Sequence, residues 1–309
     1  MSALSQTARD YLTLRRALGH QLVEAVWLLP RFVAYLDAAG IPTVTVEAAL
    51  AWSTQADPGT NMASRRMAVA RGFARHMAGV DPATEVPPLG LLPSRQRWRP
   101  PFIYTTADID ALMRQARLSM RPPLLAETFE TLIGLLAVTG MRIGEVIHLD
   151  RGDVDLVAGV VSVRESKFAK SRYVPLHKST ISVLRDYADR RDSEHPRPVT
   201  VSFFVAVTGK RLDYTMVGRT FRDLCENAEV GVGAAHPPRL HDLRHTFAVA
   251  TLVHWYRTGL DATTKMPLLS TYLGHRDPRS TYWYLSAAPE LLALAAGRLE
   301  AGAAREVAP

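Results

Sequence analysis

Apolar residues recur every three or four positions in the first part of the chain, which is the period of an amphipathic helix. The apolar stripe from Tyr11 to Leu36 is interrupted by Gly19 and contains Pro30, so we expect two helices, the second kinked by proline. Residues 1–86 are therefore predicted to form a small all-helical domain. Two later apolar runs predict its other helices, one after Thr45 and one over residues 61–78.

A segment rich in proline and arginine follows, over residues 87–101. Its prolines favour extended backbone conformations, which makes such a segment semi-rigid. Three arginines lie among these prolines, namely Arg95, Arg97 and Arg99. We therefore predict that residues 87–101 link the helical domain to a second domain, which comprises residues 102–309.

In the second domain, the spacing of apolar residues is first that of helices and then, after Asp150, that of strands. Thr105 and Asp108 fit a capping box at a helix start, and Gly140 is suited to end the helix over 124–139. After Asp150 the pattern predicts three short strands, at 154–156, 160–163 and 173–176. The other helical patterns cover residues 142–149, 179–190, 215–228, 241–257, 265–273 and 289–301. The predicted fold class is mainly α with a small antiparallel β-sheet.

The composition is that of a globular protein with an excess of positive charge. Of the 309 residues, 47% are hydrophobic and 22% are charged, and the formal net charge is +7. A basic balance attracts polyanions, but alone it does not distinguish a nucleic-acid-binding protein from a basic enzyme. No signal segment or membrane span is predicted, because no apolar run is long enough. The single cysteine, Cys225, excludes a disulfide within the chain, so we expect a cytoplasmic location.

Four residues near the C-terminal end carry side chains suited to phosphate chemistry. His241 and Arg244 are three positions apart and share one face of the predicted helix. His275 follows Gly274, which allows a sharp turn, and Tyr284 stands nine positions after His275. Around one phosphate, the arginine would bind the oxygens, the histidine would move a proton, and the tyrosine would act as nucleophile.

Arg142 and Lys167 are two further candidates, and each has a simpler interpretation. Arg142 lies among small residues that leave room for an anion at a helix start, but spacing alone favours a structural pair with Glu145. Lys167 lies in the predicted hairpin, where a lysine is either a solvated charge or a proton donor for a leaving oxygen.

His245 lies one helical turn after His241, which raises the alternative of a metal site. Zinc needs three or four ligands, and the chain has one cysteine and no His-Glu-x-x-His motif. We therefore expect no metal and no other cofactor, and we interpret His245 as a supporting or core residue.

The order and spacing of these groups resemble the tyrosine recombinases, the phage integrase family, most strongly from about Tyr104 to Leu285. The matching segments are Thr-Gly-Met-Arg-Ile-Gly-Glu around Arg142, His-Asp-Leu-Arg from His241, and Leu-Gly-His ending at His275. The resemblance implies an N-terminal helical core-binding domain and an α+β catalytic domain. It also implies a site-specific recombinase of a bacterial mobile element, which cuts and rejoins DNA through a 3′-phosphotyrosine intermediate without metal or ATP.

The same resemblance selects among competing residues and implies the partners. Tyr284 is chosen over Tyr282 as nucleophile by its offset from the histidine, and Lys167 over Lys170 as the proton donor. The partner is double-stranded DNA with recombination sites, bound by a dimer or tetramer of the chain, in some systems with related recombinases. The implied catalytic residues are Arg142, Lys167, His241, Arg244, His275 and Tyr284, and the implied DNA contacts are Lys170, Arg172, Arg65 and Arg66.

Three alternatives remain at this stage. A type IB topoisomerase-like enzyme would use the same chemistry without joining two duplexes. A DNA-binding accessory protein would lack catalysis, which the presence of all six groups argues against. A metal-dependent phosphoesterase would need a ligand cluster that the sequence lacks.

The predicted helix 289–301 would pack either on a neighbouring subunit or on its own domain.

Overall fold

The computed structural model describes residues 2–20, 22–56, 60–93, 100–166, 170–275, 281 and 284. The chain divides into two compact units, residues 1–98 and 99–309, each with its own hydrophobic core. The boundary falls within the segment interpreted as a linker. Within the described ranges, no helix has the length and apolar character needed to cross a bilayer.

The described part of the first unit is built from helices whose apolar faces meet in one core. The side chains of Ser2 and Thr45 accept backbone N–H groups and so start the first and third helices. Phe32, Trp52 and Phe73 are among the residues buried between the helices. The helices are α1 (Ala3–Ala17), α2 (Ala25–Ala38), α3 (Val46–Thr54) and α4 (Met62–Met77).

The second unit is built around α6, which is buried along most of its length. The predicted capping box is present, because Thr105 and Asp108 each accept a backbone N–H at the start of α5. Gly140 ends α6 in the left-handed conformation, with φ of 59°. The helices are α5 (Thr106–Ser119), α6 (Pro123–Thr139), α7 (Ile143–Ile147), α8 (Lys178–Glu194), α9 (Tyr214–Asn227), α10 (Leu240–Arg257) and α11 (Ala262–Leu273).

A three-stranded antiparallel sheet in the order β1-β2-β3 lies in the second unit. Its strands are β1 (Val154–Asp155), β2 (Val160–Ser166) and β3 (Lys170–Pro175). Val161 pairs with Val154 on one side and Val174 on the other, and all three side chains enter the core. Pro175 ends β3 at the edge of the sheet, where its missing N–H costs no hydrogen bond.

The fold class is confirmed as mainly α with a small antiparallel sheet, while several element ends differ from prediction. β2 and β3 extend toward the hairpin turn beyond the predicted 163 and 173, because ladder pairing continues to Ser166 and Lys170. α11 begins before the predicted 265, because Asp261 caps it by accepting the N–H of Thr263. The predicted helix over 289–301 lies outside the described residues.

Candidate active site

Three chain segments of the second unit meet at a cluster of arginine, histidine and tyrosine side chains. Arg142 stands at the start of α7, and Arg244 lies in the first turns of α10. His275 follows the left-handed Gly274 that ends α11. The structure therefore brings residues that are distant in sequence around one centre, which also includes Tyr284.

Arg244 is the most deeply buried cation of this cluster, with 2% of the residue exposed. Its Nη1 donates to the carbonyl oxygen of Gly140 at 2.9 Å, and its Nη2 donates to that of Leu273 at 2.6 Å. Burial and the neighbouring Arg142 lower its pKa to about 10, so it remains charged at neutral pH. A single guanidinium thus joins the ends of α6 and α11 and holds a positive charge between them.

Glu145 is shared by two arginines and organises the other side of the cluster. Its carboxylate accepts from Arg172 Nη1 at 3.0 Å and Nη2 at 2.7 Å, and from Arg142 Nη1 at 2.7 Å. Arg142 Nη2 also donates to the carbonyl of Gly274 at 2.9 Å, and Arg172 Nε donates to that of Tyr272 at 2.7 Å. These bonds tie α7 and β3 to the end of α11.

The charge on Glu145 persists despite its burial. Burial raises the pKa of this carboxyl group, but hydrogen bonds and charge from Arg172, together with those of Arg142, outweigh it and lower the pKa to about 2. The structural pair between Arg142 and Glu145 that the spacing favoured is therefore present, and it coexists with a position for Arg142 beside the cluster.

Tyr284 is buried, with 2% of the residue exposed, and its hydroxyl lies 3.1 Å from His245 Nδ1. Burial raises the pKa of its phenol, while the charge and hydrogen bond of Arg244 and the charge of Arg142 act in the opposite direction. The His241 ring packs edge-on against the His245 ring, with centroids 4.8 Å apart. The Tyr284 hydroxyl therefore lies beside His245 and within the influence of the Arg244 charge.

The three histidines of the cluster are uncharged at neutral pH. Desolvation of the rings is the largest cause, and nearby charged groups are the next. Together they lower the pKa of His241 and His275 to about 4 and that of His245 to about 3. His275 Nδ1 is 2.7 Å from the hydroxyl of Thr281, which fixes the orientation of its ring. Each neutral ring can accept a hydrogen bond at one nitrogen and donate from the other.

The remaining residues named from the sequence lie elsewhere or outside the described ranges. Lys167 is outside them, as is Tyr282, and nothing is described of the Lys170 side chain. Arg172 is engaged by Glu145 and the main chain, and its role as a DNA contact stays a prediction.

Arg65 and Arg66 belong to the first unit and already have partners within it. The guanidinium of Arg65 pairs with Glu24. The guanidinium of Arg66 lies over the Trp52 ring, 5.1 Å from its centroid, and donates to the Trp52 carbonyl. Their DNA contacts also remain predictions.

Two residues of the cluster were given only secondary roles by sequence reasoning. Glu145 was considered as a partner of Arg142 alone, although it also holds Arg172. His245, which the sequence indicates as a supporting or core residue, contacts the Tyr284 hydroxyl. The only sequence signal for His245 is its position one turn after His241. Among the described residues, no group of three or more His, Cys, Asp or Glu side chains is arranged to hold a metal ion.

The turn at Gly140 gives a stability prediction. Its φ is 59°, and a Cβ there would lie 2.5 Å from Phe247 Cδ1, so Gly140→Ala combines backbone strain with a clash. We expect its free energy of unfolding to fall by about 2–5 kcal/mol. Gly259 has φ of 77° but nothing within 4 Å of such a Cβ, so Gly259→Ala should cost only about 1–2 kcal/mol. Chemical denaturation measures both, and equal losses would refute the clash.

The sequence of the whole chain has close relatives among recombinases. Residues 105–290 match the family described as the phage integrase family. The chain is 41% identical to y4rB of Sinorhizobium fredii, named as an integrase/recombinase, over 97% of this chain and 98% of that protein. It is 27% identical to the tyrosine recombinase XerC of Chlamydia trachomatis, over 71% of this chain and 65% of that protein.

The fold has a similar relative among solved structures. It resembles the Tn1549 transposon integrase, solved in complex with transposon right-end DNA, with a TM-score of 0.64 and 15% identity, covering 95% of this chain and 98% of that one. The likeness in structure agrees with the likeness in sequence to y4rB and XerC. The chain therefore belongs to the phage integrase family, the tyrosine recombinases, and is a tyrosine-type DNA strand transferase.

Proposed function

We propose that this protein is a site-specific recombinase of a bacterial mobile element, which cuts and rejoins DNA through a 3′-phosphotyrosine intermediate on Tyr284. The observation that carries this proposal is the position of Tyr284, buried beside Arg244 and in hydrogen-bonding distance of an imidazole. A tyrosine buried only for packing has no need of a guanidinium and an imidazole near its hydroxyl.

The two arginines supply what a phosphodiester requires in its transition state. Charge accumulates on the nonbridging oxygens, and guanidinium groups neutralise it through short hydrogen bonds. Arg142 and Arg244 are held by main-chain carbonyls of Gly274, Gly140 and Leu273. Because these side chains are already ordered, little reorganisation is needed when the phosphate arrives.

The chemistry then divides among the other groups. Tyr284 would attack the phosphorus, Lys167 would protonate the departing 5′ oxygen, and His275 would hydrogen-bond a phosphate oxygen, while His241 is one candidate to accept the proton of the tyrosine. The phosphotyrosine bond conserves the energy of the cleaved linkage, so a 5′ hydroxyl from another strand can reverse the step. Arginines balance the phosphate charge, so neither a divalent metal nor ATP is required.

Double-stranded DNA is the proposed substrate, bound by more than one copy of the chain. The net charge of +7 favours a polyanion. A groove of about 560 Å³ beside His241 has Arg222 in its walls, together with Arg239, which is paired with Asp242. Recombination joins two duplexes, which calls for a dimer or tetramer on DNA.

The buried, unpaired Cys225 is compatible with a reducing cytoplasm.

A recombination assay tests this proposal and separates it from the alternatives. Two DNA sites taken from the ends of the protein's own element are placed on one plasmid and incubated with protein in EDTA. We expect wild type to produce recombinant DNA and Tyr284→Phe to produce none. Relaxation without recombination would indicate a topoisomerase-like enzyme, specific binding without any strand cleavage an accessory protein, and dependence on added metal a metal enzyme.

A further inference from the structure

His245 makes a contact that the six expected catalytic groups do not account for. Its Nδ1 lies 3.1 Å from Tyr284 Oη, and the two rings have centroids 5.4 Å apart. The hydroxyl of the proposed nucleophile is buried, so its proton cannot pass directly to bulk water. The His245 ring also contacts the His241 ring edge-on, with centroids 4.8 Å apart.

The geometry brings one nitrogen of His245 within reach of the tyrosine proton. When the phenol O–H donates to Nδ1, His245 is in the tautomer that carries its hydrogen on Nε2. The α10 backbone fixes the ring one turn after His241 and directly after Arg244. The same short segment thus supplies a cation for the phosphate and an acceptor for the nucleophile.

We propose that His245 is a catalytic residue that takes the proton from Tyr284 Oη as this oxygen attacks the phosphorus. The inference rests on the proposed function and names the proton acceptor within it. The Tyr284 O–H bond breaks toward Nδ1, the new bond joins Oη to phosphorus, and the bond from phosphorus to the 5′ oxygen breaks, the leaving oxygen taking a proton from Lys167. In the reverse step, the phenol oxygen leaves and recovers its proton from His245.

Bound DNA would change the electrostatic surroundings of His245. Burial, followed by His241, Arg239, Arg244 and His275, lowers the pKa of His245 to about 3, so the ring is neutral in the protein alone. A docked phosphodiester adds negative charge beside these cations and offsets their effect on the imidazole. Proton acceptance is thereby coupled to the presence of the scissile phosphate.

The test is the single-turnover rate of covalent complex formation on a nicked suicide substrate between pH 6 and 9. His245→Asn places an amide oxygen near the position of Nδ1, so it can accept a hydrogen bond but cannot carry away the proton. We expect it to react about 10²-fold more slowly near neutral pH and to accelerate with pH more steeply than wild type. Its affinity for the DNA should remain within about twofold, because the change is made at a side chain whose Nδ1 faces the tyrosine hydroxyl.

A second substitution separates proton transfer from a structural role. Difluorotyrosine at position 284 has a more acidic phenol, so its reaction depends less on a proton acceptor. It should raise the single-turnover rate of His245→Asn by about tenfold or more, and it should change the rate of the protein with His245 little. Thermal unfolding checks that His245→Asn is folded. If it is not, His245→Gln takes its place in both arms.

The outcomes distinguish this inference from the function on which it rests. Slow cleavage by His245→Asn with rescue by difluorotyrosine supports the inference. A variant that reacts within about threefold of wild type with the same pH profile, or a slow variant that difluorotyrosine does not rescue, overturns it and leaves the recombinase chemistry intact. Absence of a covalent complex from wild type on DNA that it binds specifically overturns both.

Discussion

Arg244→Ala is expected to lower the single-turnover rate of DNA cleavage by about 10³-fold, because it removes a buried cation from the proposed phosphate site. The same change removes both donors that reach Gly140 and Leu273, so the carbonyls at the ends of α6 and α11 lose their partner. We expect the free energy of unfolding to fall by about 2–4 kcal/mol as well.

Arg244→Lys is the matched variant, because it retains the charge but cannot bridge two carbonyls and a phosphate at once. It should keep most of the stability and recover only part of the activity, about tenfold above the alanine variant. Rapid-quench cleavage and chemical denaturation measure the two effects separately. If the alanine variant cleaves DNA at more than about one tenth of the wild-type rate, Arg244 is not a catalytic residue.

Glu145→Gln should produce the largest loss of stability among the cluster variants. The substitution preserves side-chain shape but leaves Arg172 nearly buried without its countercharge, which typically costs about 3–5 kcal/mol. Arg142 loses the bonds that orient it, and small displacements of a catalytic group reduce rates by about 10²-fold. Glu127 pairs with Arg190 at the surface at 3.4 Å, so Glu127→Gln, the control, should cost at most about 1 kcal/mol.

The pH dependence of stability provides an independent measure of Glu145. Its pKa is about 2 in the folded protein and 4.5 ordinarily, so its contribution is present in full above about 4.5 and is lost as the pH falls toward 2. As the pH falls through this window, the free energy of unfolding should therefore decrease more for wild type than for Glu145→Gln. Parallel curves for the two proteins would contradict the ion cluster.

Local signals in the sequence were sufficient for most of the fold. Thr105 with Asp108, and Gly140 after a long apolar helix, mark element ends through contacts only a few residues apart. The strand lengths could not be predicted as well, because the ladder between β2 and β3 depends on pairing across the hairpin rather than on the residues of either strand.

For the candidate site, local sequence motifs were sufficient to find some of the residues. Arg142, His241 and Arg244 lie in recognisable segments, and the structure brings them near His275 and Tyr284, while their catalytic roles stay predictions.

The roles of Glu145 and His245 needed the tertiary structure. Arg172 is distant from Glu145 in the chain, so only packing of β3 on α7 makes the carboxylate a shared partner. Likewise, only the approach of Tyr284 to α10 reveals that His245 contacts the tyrosine hydroxyl.

The most direct test of the whole account is the chemical identity of the protein–DNA link. Wild-type protein is trapped in EDTA on a nicked substrate carrying the end of its own element, the complex is digested, and the linked peptide is sequenced by mass spectrometry. We expect a nucleotide joined through its 3′ phosphate to Tyr284, with a free 5′ hydroxyl on the other side of the break. A nucleotide on another residue such as Tyr282, a 5′ linkage, or an undiminished covalent complex from Tyr284→Phe would contradict it.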